Sequence, residues 1–217
     1  AAAINTALSN GAATDALTIT LSAGTAAATD LTGLDGKSSV AIGASAITAI
    51  NGTADEVNAV VSAGAAITTA ANYAATLSGT SANATVNTIL GDTTGIVTAT
   101  LTGDTAAAIN TALSNGAATD ALTITATNVS TDIADLIALN GKSSVDIAAG
   151  AVVTITSAAT TTIDLTAAGV TWASGINVSG TAGADTITGT AGNDVIAAGA
   201  GDDTVTVAGA GTNIIRG

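Results

Sequence analysis

The chain has 217 residues and a mass of 20.1 kDa, about 93 Da per residue, because Ala, Thr, Gly and Ser dominate and Phe, Met, Pro, Cys and His are absent. Its 47% hydrophobic content is mostly alanine methyls, which cannot fill the thick interior of a globular domain, so a thin repetitive solenoid is the expected class. Three basic residues against sixteen acidic ones give a net charge of −13, which repels phosphate backbones and excludes nucleic-acid binding.

The acidic residues are Asp with the single exception of Glu56. Asp is a short, hard oxygen ligand, so calcium is the first cation to consider; a solvated acidic surface is the alternative for Asp outside a motif. Absence of cysteine removes disulfides and thiolate metal sites. Mean hydropathy is +0.59 and residues 57–91 carry no charge, yet Asn58, Gly64, Asn72, Gly79, Asn83 and Asn87 interrupt that stretch. No run of about 20 apolar residues suited to a membrane span occurs. The chain starts without Met and without a signal-like segment, and it reads as a piece of something longer.

Residues 1–20, AAAINTALSNGAATDALTIT, recur unchanged at 106–125, an offset of 105. The offset continues in Asp30-Leu31 with Asp135-Leu136 and in GKSSV at 36–40 with GKSSV at 141–145. Within this unit a shorter rhythm is set by INTAL (4–8), ATDLT (28–32), VNAVV (57–61), VNTIL (86–90), INTAL (109–113) and IADLI (133–137). Apolar residues at i, i+3 and i+4, as in Val57, Val60 and Val61 or Val86, Ile89 and Leu90, predict short helices with one inward face. Thr53-Ala54-Asp55-Glu56 spells a capping box, and Asn10-Gly11 and Asn115-Gly116 are expected to stop helices in left-handed geometry.

Ahead of the helical segments come β-branched or alternating runs: LTITL (17–21), AITAI (46–50), AATLS (74–78), VTATL (97–101) and LTITA (122–126). Such runs suit half-buried strands. The expectation is a strand-plus-short-helix coil with rungs of 23–29 residues, similar to leucine-rich repeats in rhythm only; an all-β solenoid with bends in place of helices is the alternative. After residue 146 the helical pattern stops, and VVTIT (152–156), TTIDL (161–165), VTWAS (170–174) and INVSG (176–180) read as closely spaced strands. Trp172 is expected to pack among them, with stacking on a sugar as its functional alternative.

From residue 180 the register becomes nine: GTAGADTIT (180–188), GTAGNDVIA (189–197), AGAGDDTVT (198–206) and, after Val207, AGAGTNIIR (208–216). This segment resembles the RTX (hemolysin-type calcium-binding) nonapeptide G-G-x-G-x-D-x-U-x. The resemblance implies a parallel β-roll with two nonapeptides per turn, so that loops two repeats apart stack and share calcium. The residues it assigns to the metal are Gly180, Ala182, Gly183 and Asp185; Gly189, Ala191, Gly192 and Asp194; Ala198, Ala200 and Asp203; and Ala208 and Asn213. One good site is expected from loops 180–185 and 198–203, and a less acidic one from loops 189–194 and 208–213. Thr181 and Thr190 depart from the second glycine, Ala198 and Ala208 from the first, and Asn213 from the Asp. Asn193 and Asp202 are read as helper ligands or turn formers, and Ile187, Ile196, Val205 and Ile215 as interior aliphatics.

Three parts follow: a strand–helix solenoid (1–145), a strand transition (146–179) and a calcium-binding β-roll (180–217). No enzymatic role is expected, because His and Cys are missing and Lys37 and Lys142 sit in the same repeated turn sequence. The functional expectation is a calcium-stabilised structural segment of a large secreted bacterial surface or matrix protein, exported by a type I system and self-associating head-to-tail or laterally. The alternative is an adhesin or a glycan- or ice-binding module, with cell-surface polysaccharide as a candidate partner.

Overall fold

The computed structural model describes residues 1–127, 130–149, 154–156, 162–164, 170–172, 176–209 and 211–217. Two compact units are present: Ala1–Leu101 with Asp120–Leu122, and Thr102–Thr119 with Thr123–Gly217.

The first unit runs α1 (Ala2–Ala7), β1 (Gly24–Ala27), α2 (Ala28–Asp35), β2 (Ile42–Ala44), β3 (Ile47–Thr53), α3 (Ala54–Ala63), β4 (Ile67–Thr69), β5 (Ala74–Ser81), α4 (Asn83–Asp92) and β6 (Val97–Leu101). Its main sheet has the order β1-β3-β5-β6-β7, where β7 is Ala121–Thr123, and β2 pairs with β4 in a second, two-stranded sheet. The registers β1–β3, β3–β5, β5–β6 and β2–β4 are all parallel. Parallel neighbours cannot be joined by a hairpin, so the chain must cross over between them, and α2, α3 and α4 lie in those connections. In β6, Val97, Ala99 and Leu101 are buried while Thr98 and Thr100 face out, as the alternation requires.

Helices follow the i, i+3, i+4 spacing. Val57 and Val60 of α3 are buried, and so are Val86, Ile89 and Leu90 of α4; Val61, expected to face inward, is only half-buried. The capping box is present: Glu56 N–H donates to Thr53 Oγ1, and Thr53 N–H donates to Glu56 Oε2 at 2.8 Å.

In the second unit are α5 (Ala106–Ala112), β8 (Thr125–Ala126), β9 (Ser130–Asp132), α6 (Ile133–Asn140), β10 (Ile147–Ala149), β11 (Thr154–Thr156), β12 (Thr162–Asp164), β13 (Val170–Trp172), β14 (Asn177–Ser179), β15 (Thr186–Thr188), β16 (Val195–Ala197), β17 (Thr204–Thr206) and β18 (Ile214–Arg216). They form parallel sheets of order β13-β10-β8, β18-β16-β14-β11-β9 and β12-β15-β17. The open parallel sheets are compatible with a solenoid. Trp172 ends β13, and its side chain lies outside the described residues, as do residues 152, 153, 161, 165, 173 and 174 of the expected strand runs.

Two expectations about strand and turn conformation also fail. Residues 17–21 are not a strand: only Thr20 bridges, to Gly43, although the identical residues 122–125 contribute to β7 and β8. Asn10-Gly11 and Asn115-Gly116 are not left-handed stops, since neither pair has a positive φ. Lysine does the capping instead: Lys37 Nζ donates to the Asn5 carbonyl of α1, and Lys142 Nζ to the Leu113 carbonyl that closes α5. Glycine is needed there for space, because a Cβ at 11 or 116 would come within 3.0 or 3.1 Å of the lysine Cβ.

Tyr73 is the largest fully buried side chain among the described residues. Its hydroxyl donates to Asp92 Oδ2 at 2.8 Å, and burial, then the bond to Asp92 and its charge, push the phenol well above the ordinary range. The neutral phenol therefore stabilises the fold. That contribution is complete below the unfolded phenol's pKa of about 10 and is lost as pH rises beyond it toward the folded value. As the only tyrosine, Tyr73 gives an unambiguous phenolate absorbance. Its alkaline titration in the folded protein should lie above that of the denatured chain, and Tyr73→Phe should cost about 1 kcal/mol in denaturant unfolding.

Candidate metal centre

The nonapeptide strands alternate between two sheets: β14, β16 and β18 on one, β15 and β17 on the other. Asn177 pairs with Val195 and Thr186 with Thr204, so like positions recur after eighteen residues, two nonapeptides per turn. Val195 pairs with Ile214, nineteen on, and the extra residue Val207 is exposed. Ile187 and Ile196 are fully buried. Val205 is half-buried and Ile215 exposed, contrary to the expected interior row, because β17 and β18 are edge strands with no further neighbour among the described residues.

This register brings together the loops that the sequence paired. A Cβ on Gly180 would run into the Ala198 carbonyl, one on Gly199 into the Thr181 carbonyl, and one on Gly201 would lie 2.7 Å from the Gly183 oxygen. In the second pair Gly209 abuts Ala191 and Gly211 abuts the Gly192 carbonyl. Gly199 and Gly201 have φ of 107° and 131°, conformations that side chains rarely adopt. Each pair thus sets a Gly-Thr loop (180–185, 189–194) against an Ala-Gly loop (198–203, 208–213).

The sixth-position side chains tie the paired loops. Asp185 N–H donates to Asp203 Oδ1 at 2.9 Å, and Asp194 N–H donates to Asn213 Oδ1 at 2.8 Å. Asn213 Nδ2 also donates to the Gly211 carbonyl, a bond that a carboxylate cannot make. Asn193 is a turn former across the stack, since its Oδ1 accepts from Thr212 N–H at 2.8 Å, whereas Asp202 is exposed.

Sequence reasoning missed the two threonines. Thr181 N–H and Oγ1 donate to the Asp185 carboxylate, and Thr190 N–H and Oγ1 donate to Asp194 at 2.8 and 2.6 Å. Asp194 also accepts the Ile176 N–H, and both Asp185 and Asp194 are 1% exposed. Each hydroxyl in turn accepts a loop amide, from Gly183 or Gly192. The signal was present as Thr four residues before Asp, on the positions already noted as departures from glycine.

The donor set suits a hard cation. Carboxylate and carbonyl oxygens crowd the gaps between paired loops, and glycines hold those gaps too narrow for side chains. Among the described residues no three His, Cys, Asp or Glu side chains cluster, so backbone carbonyls would have to supply most ligands. Of the assigned residues, Ala182, Gly183, Ala191, Ala200 and Ala208 are exposed on the loops, Gly180 and Gly192 are intermediate, and Gly189 and Ala198 are buried.

Thr190 is itself 3% exposed, so removing its hydroxyl takes one of two donors from the buried Asp194 Oδ1 and leaves the Gly192 amide without its acceptor. Thr190→Val should cost about 1–3 kcal/mol of local stability. Thr181→Val, less buried, should cost less. Hydrogen exchange at the Ile176, Thr190 and Gly192 amides in calcium-free buffer checks the ranking.

Residues 179–215 match the family model for RTX calcium-binding nonapeptide repeats, in four copies, and the remainder of the chain lies outside that match. No curated protein sequence and no solved structure is detectably similar to the chain. RTX nonapeptides bind calcium ions and are typical of proteins exported by type I secretion. The C-terminal segment of this chain therefore carries calcium-binding RTX repeats.

Proposed function

We propose that the chain is a calcium-stabilised structural segment of a large secreted surface or matrix protein, in which strand–helix rungs (1–145) lead through a strand segment (146–179) into the β-roll (180–217). The observation that carries this reading is the stacking of loop 180–185 on 198–203 and of 189–194 on 208–213. Asp185 and Asp203 would supply the carboxylates of the stronger site, with loop carbonyls from Gly180, Ala182, Gly183, Ala198 and Ala200. The weaker site would have Asp194, Asn213 and carbonyls from Gly189, Ala191, Gly192 and Ala208. Bound calcium supplies a divalent charge that offsets adjacent carboxylates. The role is non-enzymatic: His and Cys are absent, and both lysines are spent on helix ends.

Self-association is supported by exposed apolar edges. Ile214 and Ile215 lie exposed on β18, which has no strand on its outer side among the described residues, and such strands pair with other chains unless covered. Calcium also screens the −13 charge that holds molecules apart. A second reading, an adhesin or glycan- or ice-binding module, is favoured by a column of exposed polar residues in register, Asn51, Thr76 and Thr98.

Two experiments test this. Asp185→Ala and Asp203→Ala remove ligands of one site, so their losses in calcium affinity by calorimetry should be strongly non-additive; additive losses at unchanged stoichiometry would refute the shared site. Sedimentation across a calcium series should show growing assemblies that magnesium at equal ionic strength does not produce. A sharp monomer boundary at saturating calcium would favour the binding-module reading.

A further inference from the structure

The same twenty residues occupy two environments. Ile4 is 37% exposed whereas its counterpart Ile109 is fully buried. Leu8 and Leu17 are half-exposed, while Leu113 and Leu122 are fully buried. Around Ile4, Leu8, Leu17 and Ile19 lies an open groove of about 400 Å³. Local sequence cannot account for the difference, and the downstream partners are the same in both copies, although Lys37 and Lys142 reach carbonyls three residues apart in the repeat. Asn5 Nδ2 donates to Asp30 Oδ1 at 3.2 Å as Asn110 Nδ2 does to Asp135 Oδ1, and Lys37 and Lys142 make the helix caps described above.

What differs lies on the other side. In the second copy β7 has β6 as its sheet neighbour, and the buried Asp120 carboxylate accepts the Val97 N–H at the start of β6 at 3.0 Å. In the first copy the equivalent Asp15 is at the surface, accepting from Ala12 N–H of its own turn, and residues 16–18 pair with no strand, while the Ile19 carbonyl accepts from Gly43 of β2 downstream. The β6 side of Asp120–Leu122 thus shows what the bare side of Asp15–Leu17 is shaped to receive.

We infer that the groove over Ile4, Leu8, Leu17 and Ile19, with Asp15 at its edge, is a docking surface for a strand–helix rung of the kind formed by residues 71–101, joined in cis. The docked strand lies parallel to residues 16–18, gives its first N–H to Asp15, and covers the two leucines and Ile4. Apolar burial supplies affinity, and the Asp15 carboxylate fixes register, since a slip by one residue turns every strand side chain to the wrong face. This inference does not depend on calcium.

The test fuses a second copy of residues 71–105 ahead of Ala1 in the full chain, restoring the order in which they precede residues 106–125. Hydrogen exchange should show the amides of residues 15–21 protected about tenfold or more over the unextended chain. An extension carrying Val97→Asp and Leu101→Asp in the added copy should give no such protection. Asp15→Ala should leave exchange nearly unchanged in the unextended chain but remove much of the added protection in the extended one. Equal protection by the intact and disrupted extensions, or none by either, overturns the inference. So does concentration-dependent protection of the same amides in the unextended chain, which would make a second copy the occupant.

Discussion

No strand or helix of this chain can bury its own apolar face. With alanine, threonine and glycine making up most positions, each turn contributes a few aliphatic side chains, such as Val97 and Leu101 from β6 or Val86, Ile89 and Leu90 from α4. Those side chains leave water only because a neighbouring parallel strand brings a similar set alongside. Parallel pairing therefore comes first, and the rest follows from it. Crossovers must be long enough to return the chain to the same end of the sheet, which fixes the helices; loops must then recur one above another, which stacks like with like.

Stacking like with like is dangerous for an acidic sequence. A repeated Asp is brought near the next, as Asp185 is to Asp203, in a protein with three basic residues. The structure answers this with hydrogen bonds: Asp194 is held by the Ile176 amide and by the amide and hydroxyl of Thr190, and Asp120 accepts from the Val97 amide. Hydrogen bonds to amides and hydroxyls satisfy a carboxylate's oxygens but leave its charge in place. Closely stacked carboxylates consequently remain a place where a cation is welcome.

Much of the architecture was legible because it is written in spacing. The six helical pentads all fall within or overlap helices, and the capping box at Thr53 and Glu56 forms as spelled. The resemblance of the nonapeptides to RTX repeats implies the eighteen-residue pairing that β14–β16 and β15–β17 adopt. What was not legible depends on neighbours distant in sequence. Leu17-Thr18-Ile19-Thr20 is not a strand while the identical Leu122-Thr123-Ile124-Thr125 contributes to two, so strand propensity alone does not decide. Asn10-Gly11 suggests a left-handed turn, but what Gly11 provides is room for Lys37, a contact 26 residues away in sequence. The Thr181 and Thr190 hydroxyls were noted as departures from a pattern; their work shows only once the loop closes on Asp185 and Asp194.

The two loop pairs form a natural comparison that separates structure from charge. At the sixth position of the upper loop, Asp203 and Asn213 do the same structural task, accepting the amide of Asp185 or Asp194 through an oxygen. An amide oxygen serves that purpose as well as a carboxylate, and asparagine adds a donor that engages the Gly211 carbonyl. If holding the rungs together were the only demand, Asn at 203 would be the better choice, sparing the stack a second negative charge beside Asp185. Asp203 is thus costly for the stack taken alone and favourable with a cation between the loops, while the 189–194 and 208–213 pair uses Asn213 to supply from within part of the positive pole that a metal would bring. Dependence on calcium should therefore be concentrated in one loop pair rather than spread evenly along the roll.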